Sequence, residues 1–194
     1  MFRGNVSFVF QLVALRLTCF HRVAGNDTVS ITLTSIFYHL AANPTTLHSL
    51  QAELDLATAA GTLSPTITYK EAVALPYLGA VLNEGFRIHP MIGYPLPRVV
   101  PKGGAEACGR WWPAGTCLGT SCGVPEQNRE VFGEDADRFN PDRWLVDKDK
   151  AARMWNDVCA FGIGQRACIG QHVRPTVTFG TLLTKDIDCE VRDH

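Results

Sequence analysis

Proline and glycine punctuate this chain so unevenly that its two halves cannot fold alike. Before residue 90 the only prolines are Pro44, Pro65 and Pro76, and apolar residues recur between them at helical spacing. Val29, Leu33, Ile36, Phe37 and Leu40 fall at offsets of four, seven, eight and eleven, one face of a helix that Asn43-Pro44 stops. Asn43 is then placed to cap a second helix with Pro44 at its first position, where Leu47, Leu50, Leu54 and Ala57 form the apolar stripe before Gly61. Thr68 and Glu71 have the spacing of a capping box for a short third helix. Pro76 opens a fourth, with Leu78, Val81, Leu82 and Phe86 toward the core and His89-Pro90 at its end. From Tyr94 onward proline and glycine are frequent, and Pro95 to Val100 and Trp111 to Leu118 read as short irregular strands joined by the Gly103–Gly109 connection. With no repeat, low-complexity tract or clear linker, residues 1–194 read as one mainly α domain with a small β-sheet.

Composition narrows the function classes. Hydrophobic residues make up 46% and charged residues 19% of the 194, which is globular rather than disordered. Eighteen Lys plus Arg against 19 Asp plus Glu give a formal net charge of -1, so no broad attraction to nucleic acid or acidic lipid is expected. The seven cysteines are odd in number and irregularly spaced, which argues against a disulfide framework. Cys117 and Cys122 open the spacing of a plant-type iron–sulfur motif, but its next ligand would fall on Pro125. The apolar run Val6 to Phe20 has 15 residues and is interrupted by Gln11 and Arg16. A bilayer-spanning helix needs about 20, so a buried helix is expected there instead of an anchor.

One loop stands apart. Phe161-Gly162-Ile163-Gly164-Gln165-Arg166-Ala167-Cys168-Ile169-Gly170 gathers three glycines around one cysteine. Glycine permits positive φ and close backbone approach, so such a loop can turn N–H groups toward a sulfur or bring it against a flat ligand. Arg166 adds a fixed positive charge that can stabilise a thiolate or pair with a ligand carboxylate. On these residues alone, a tight turn around a small buried cysteine fits equally well. Glu84 and Arg87, three apart on the fourth helix, can pair on one face; taken alone they read as a surface salt bridge of about 0–1 kcal/mol. Asp27-Thr28 alone reads as an N-cap pair, and Arg98 as a solvated strand charge.

Taken together, these segments resemble the cytochrome P-450 family. The cysteine loop fills every specified position of F-x-x-G-x-R-x-C-x-G; Glu84-Gly85-Phe86-Arg87 matches E-x-x-R; Phe139-Asn140-Pro141-Asp142-Arg143-Trp144 matches F-x-P-E-R-W with Asp142 in place of glutamate; and Ala24-Gly25-Asn26-Asp27-Thr28 matches A-G-x-D-T. Pro95 to Pro101, Pro113 to Thr116, Val131 to Ala136 and Ile67-Thr68-Tyr69 are most similar to fungal pisatin-demethylase-like members. The resemblance implies the C-terminal, haem-binding part of that fold, incomplete because the family's chains carry a large portion before A-G-x-D-T. It also implies haem b (iron protoporphyrin IX), with Cys168 as axial ligand of the iron, Phe161 shielding the thiolate, Gly164 in the cofactor-binding loop, and Arg166 and Arg98 on the propionates. Thiolate ligation favours O–O cleavage. Thr28 and Asp27 would be the oxygen-activation pair that holds and relays protons. Glu84, Arg87 and Arg143 would form a structural triad.

The implied activity is insertion of one atom of O2 into a small apolar substrate, with electrons from NADPH through a partner reductase. Full-length relatives would associate with the endoplasmic reticulum membrane. The alternative is a truncated, non-catalytic remnant that binds haem weakly or acts only as an interaction fragment. After Gly170 the family continues as one long helix, whereas Arg174-Pro175 interrupts that pattern here, so a shortened or shifted proximal helix is expected.

Overall fold

A computed structural model describes the backbone of residues 5–172 and side chains from Ala24 to Gln171. The Arg174-Pro175 interruption and the burial of Val6 to Phe20 lie outside the described residues. Among the described residues no helix is long and apolar enough to cross a membrane.

The first half is helical, as its stripes predict. Helix α1 spans Asn5–Ala42, α2 Pro44–Ala59, α3 Tyr69–Val73 and α4 Pro76–Ile88. Pro44 and Pro76 each occupy the first turn of a helix, where the missing N–H costs no intrahelical bond. Thr68 Oγ1 accepts from the Glu71 N–H while the Glu71 carboxylate accepts from the Thr68 N–H, completing the capping box. Asn43 departs from expectation. It sits at the cap position of α2, but its Nδ2 donates back to the His39 carbonyl at 2.7 Å, so it closes α1 and makes no side-chain cap to α2. The exposed start of α4 is capped from a distance instead. The Glu53 carboxylate on α2 accepts from the N–H groups of Tyr77 and Leu78 at 2.8 and 2.9 Å, and a carboxylate at a helix N-terminus also meets a favourable dipole.

Helix α4 is the centre of the packing, touching α1, α2 and α3 and the 3-10 turn Pro141–Trp144. Leu78, Val81, Leu82 and Phe86 are all buried in the core with Ile36 and Leu40 of α1 and Leu50 of α2. Gly85 lets α1 and α4 approach closely, because a Cβ there would overlap Ile36 Cγ1.

Among the described residues of the second half, the small β-structure expected there is two antiparallel ribbons. Strand β1 (Arg98–Val99) pairs with β4 (Cys117–Leu118), while β2 (Ala105–Ala107) pairs with β3 (Arg110–Trp112). The Gly103–Gly109 connection is therefore partly strand. Its turn is Cys108-Gly109, with φ of 52° and 67°, the double left-handed conformation of a tight hairpin. Beyond it come α5 (Arg129–Phe132), the Pro141–Trp144 turn, α6 (Lys148–Asp157) and the cysteine loop.

Candidate functional site

Two of the predicted groups meet in one buried network. The helical spacing of Glu84 and Arg87 forms a bidentate pair, with Arg87 Nε donating to Glu84 Oε2 at 2.8 Å and Nη2 to Oε1 at 2.7 Å. Both side chains are fully buried, which overturns the reading of a surface salt bridge: α4 turns this face inward beneath the Phe139–Trp144 segment. Arg143 Nε also donates to Glu84 Oε1, at 3.1 Å. The remaining donors of Arg87 reach the carbonyls of Glu126, Ala136 and Arg138 at 2.7–2.9 Å. Arg143 binds the Phe132 carbonyl and both the side chain and carbonyl of Asp135. Burial of a charge is tolerable only when it is paired and its donors are used, and here two arginines spend theirs on the main chain of 126–138.

Sequence reasoning missed several members of this network. Trp144 Nε1 donates to Glu84 Oε2 at 2.9 Å and the Asn140 N–H to Oε1 at 2.9 Å; both lie in the segment already singled out for Arg143. Asp135 also accepts from Asn140 Nδ2, and these hydrogen bonds, Asn140 first, hold its carboxyl below the usual range. Glu126 carried no sequence signal at all.

The cysteine loop leaves the core at Phe161. This ring packs edge-on against Phe86 of α4 at 5.5 Å between centroids. Gly162 and Gly164 both take φ of 68°, so the turn uses the freedom glycine provides. The Cys168 N–H donates to the Phe161 carbonyl at 2.7 Å, closing the loop. The N–H groups of Gly162, Ala167 and Gln171 also go to carbonyls, so these amides are spent on the turn and not on the sulfur. Cys168 is exposed, not the buried cysteine of a tight turn. Arg166 and Gly164 are exposed beside it, and Ile163 and Ile169 on either side are 70% and 82% exposed.

The other predicted residues lie apart in the chain. Asp27 and Thr28 are in the middle of α1, not at a helix start, so they are not an N-cap pair. Asp27 is exposed and Thr28 half-buried, with Thr28 Oγ1 donating to the Ala24 carbonyl at 2.9 Å. Arg98 is exposed on β1, its Nη1 donating to the carbonyls of Leu96 and Pro97. A shallow cavity of about 720 Å³, lined in part by Ser49, Glu53, Leu56, Thr62 and Tyr77, holds none of the candidate residues.

Residues 14–174 match the family model for cytochrome P-450. The chain belongs to the cytochrome P-450 family. It is 49% identical over 151 residues to a cytochrome P-450 monooxygenase of Aspergillus terreus, covering 77% of this chain and 31% of that relative. Cytochrome P-450 monooxygenase ACRTS1 of Alternaria alternata is 43% identical over 78% of this chain and 40% of its own length. Pisatin demethylase of Fusarium vanettenii is 39% identical over 77% of this chain and 28% of its own length. The chain thus spans about a third of the length of the curated relatives it matches.

The residues around Cys168 fit the haem that cytochrome P-450 proteins in general carry. A flat apolar group with two carboxylates needs a donor atom, apolar walls and cations. The exposed thiol, the exposed Ile163 and Ile169, and the exposed guanidinium of Arg166 are of those kinds.

Proposed function

We propose that this chain forms the thiolate side of a haem-thiolate monooxygenase site, in which Cys168 would hold the iron of haem b. The observation that carries the reading is an exposed cysteine on a hydrogen-bonded glycine turn, flanked by two exposed isoleucines and an arginine. When bound, the haem would supply O2 activation, for which a thiolate ligand is the electron-rich partner.

The protein's own residues have separable tasks in this reading. Cys168 would supply the sulfur that holds the iron. Arg166 and Arg98 pair with propionates, for which a planar fork is suited. Phe161, anchored on Phe86 at the base of the loop, would shield the thiolate once haem is bound. Half-buried Thr28, whose Oγ1 donates to the Ala24 carbonyl, and solvent-exposed Asp27 in the same turn would be the oxygen-activation pair. The Glu84–Arg87–Arg143 network fixes α4 and the 126–144 segment under the loop. Electrons come from NADPH through a partner reductase, and the substrate is a small apolar molecule.

The test is the reduced, carbon-monoxide-bound difference spectrum of the purified chain after haem addition, beside Cys168→Ala. A thiolate-type band in the first and its loss in the second is the expected result. No haem uptake by the chain, or an unchanged band in Cys168→Ala, overturns the assignment.

A further inference from the structure

Glu126 lies in the 3-10 turn Pro125–Gln127, where its side chain is completely buried. It is held at both ends. Its carbonyl accepts from Arg87 Nη1 at 2.8 Å, and its Oε1 accepts from the Cys159 N–H at 2.8 Å. Cys159 in turn begins the bend that leads into the cysteine loop, its carbonyl accepting from the Gly162 N–H at 2.8 Å and from Cys122 Sγ at 3.6 Å. A single residue therefore spans from the arginine of α4 to the base of the loop. Its second carboxyl oxygen, Oε2, has no hydrogen-bond partner among the described residues.

We propose that Glu126 is a positioning residue, a buried carboxyl that registers the base of the cysteine loop against the Glu84–Arg87–Arg143 network in its uncharged form. The functional weight of that link rests on Cys168 being the haem ligand; the link itself does not. An ionised carboxylate with one oxygen unpartnered is a poor occupant of a buried site, since its charge is unsolvated and half its acceptors are idle. The groups facing it do not change this. Arg87 from α4 is the one cation among the described residues that acts on it, and its donors go to Glu84 and to main-chain carbonyls, including that of Glu126 itself. Cys122 and Cys159 are thiols that burial pushes up, Cys159 to about 11, so they stay neutral through ordinary pH. Burial accordingly pushes the Glu126 carboxyl up to about 7, against the opposing pull of the Cys159 N–H and the Arg87 charge.

The direction of the pH effect follows. Below about pH 4.5 the carboxyl is neutral both folded and unfolded, and Glu126 imposes no penalty. Between there and about pH 7 the unfolded chain releases the proton and the folded chain keeps it, so the folding constant falls with rising pH, by up to about tenfold per unit.

The experiment uses the full chain without added haem. Denaturant unfolding from pH 5 to 8 and the exchange protection of the Cys159 amide are compared among the wild type, Glu126→Gln and Glu126→Ala. The neutral amide of Glu126→Gln keeps an acceptor at Oε1, so this variant is expected to hold Cys159 protection and to lose the wild-type fall in folding constant between pH 5 and 7. Glu126→Ala is expected to lose at least tenfold in that protection. Parallel pH profiles for wild type and Glu126→Gln, or wild-type protection in Glu126→Ala, overturn the proposal; should Glu126→Ala not fold, the pH comparison decides. Because no haem is present, failure here leaves the Cys168 assignment standing, and failure of haem uptake leaves this result readable.

Discussion

Removing the Arg87 side chain is expected to be among the most damaging single changes available to this chain. Arg87 is wholly buried and makes five hydrogen bonds, two to Glu84 and three to the carbonyls of Glu126, Ala136 and Arg138. In Arg87→Ala the buried carbonyls of Glu126 and Ala136 lose their donor, while that of Arg138 keeps Arg143 Nη2 at 3.4 Å, and each orphaned group costs about 1–3 kcal/mol. Glu84 retains Arg143, Trp144 and the Asn140 N–H, so its charge is not left bare. That places the total near the 3–5 kcal/mol typical of breaking a buried ion pair, a large part of the roughly 5–15 kcal/mol that holds a domain folded. Arg87→Lys keeps the charge but has three donors on one nitrogen and cannot span Glu84 and three carbonyls, so a loss of about 2–3 kcal/mol is expected. The control is Arg129→Ala, which removes an ion pair to Glu134 whose side chains are 62% and 91% exposed and is expected to cost about 0–1 kcal/mol. Urea unfolding followed by tryptophan fluorescence suits the question, because Trp144 and Trp155 pack together beside this network at 6.2 Å. If Arg87→Ala costs no more than Arg129→Ala, the burial argument for the network is wrong.

Gly85→Ala places a methyl group into Ile36 at the α1–α4 crossing; overpacking of this kind costs about 1–3 kcal/mol, and the paired change Gly85→Ala with Ile36→Val should recover part of it in the same unfolding assay. At the hairpin, Cys108 is held at a φ of 52°, which costs a residue other than glycine or asparagine about 1–2 kcal/mol. Cys108→Asn is expected to raise the unfolding midpoint, and a lowered midpoint would contradict the turn assignment. The Glu71 carboxyl is pulled down to about 2 from 4.5, first by the Thr68 N–H and then by the Ser64 hydroxyl. Its contribution is present above pH 4.5 and lost as pH falls toward 2, so the acid-side fall in stability should be shallower in Glu71→Gln than in the wild type.

The parts of the fold that depend on local chemistry were readable from the chain. Leu78, Val81, Leu82 and Phe86 repeat at helical spacing and are buried together, and Thr68 and Glu71 close their box because four residues suffice to specify it. Asn43 was misjudged because the same side chain can satisfy a carbonyl behind it or an amide ahead of it, and local sequence does not rank the two. The β2–β3 ribbon was hidden because Cys-Gly is a weak hairpin signal compared with Asn-Gly. Around the site, resemblance to the family's motifs named Glu84, Arg87, Arg143 and Cys168, but not their burial or exposure. Glu126 stayed invisible because its partners, Arg87 and Cys159, are 39 and 33 residues away, and nothing in a Pro-Glu-Gln turn marks it as interior.

The reach of the Glu84–Arg87 network also has a timetable. Trp144 closes on Glu84 across 60 positions of chain, and a ribosome adds about 5–20 residues per second. For about 3–12 s after Glu84 is made, the α4 face that carries this ion pair lacks the segment that later covers it. That interval, not the finished protein, is when this face of α4 is open.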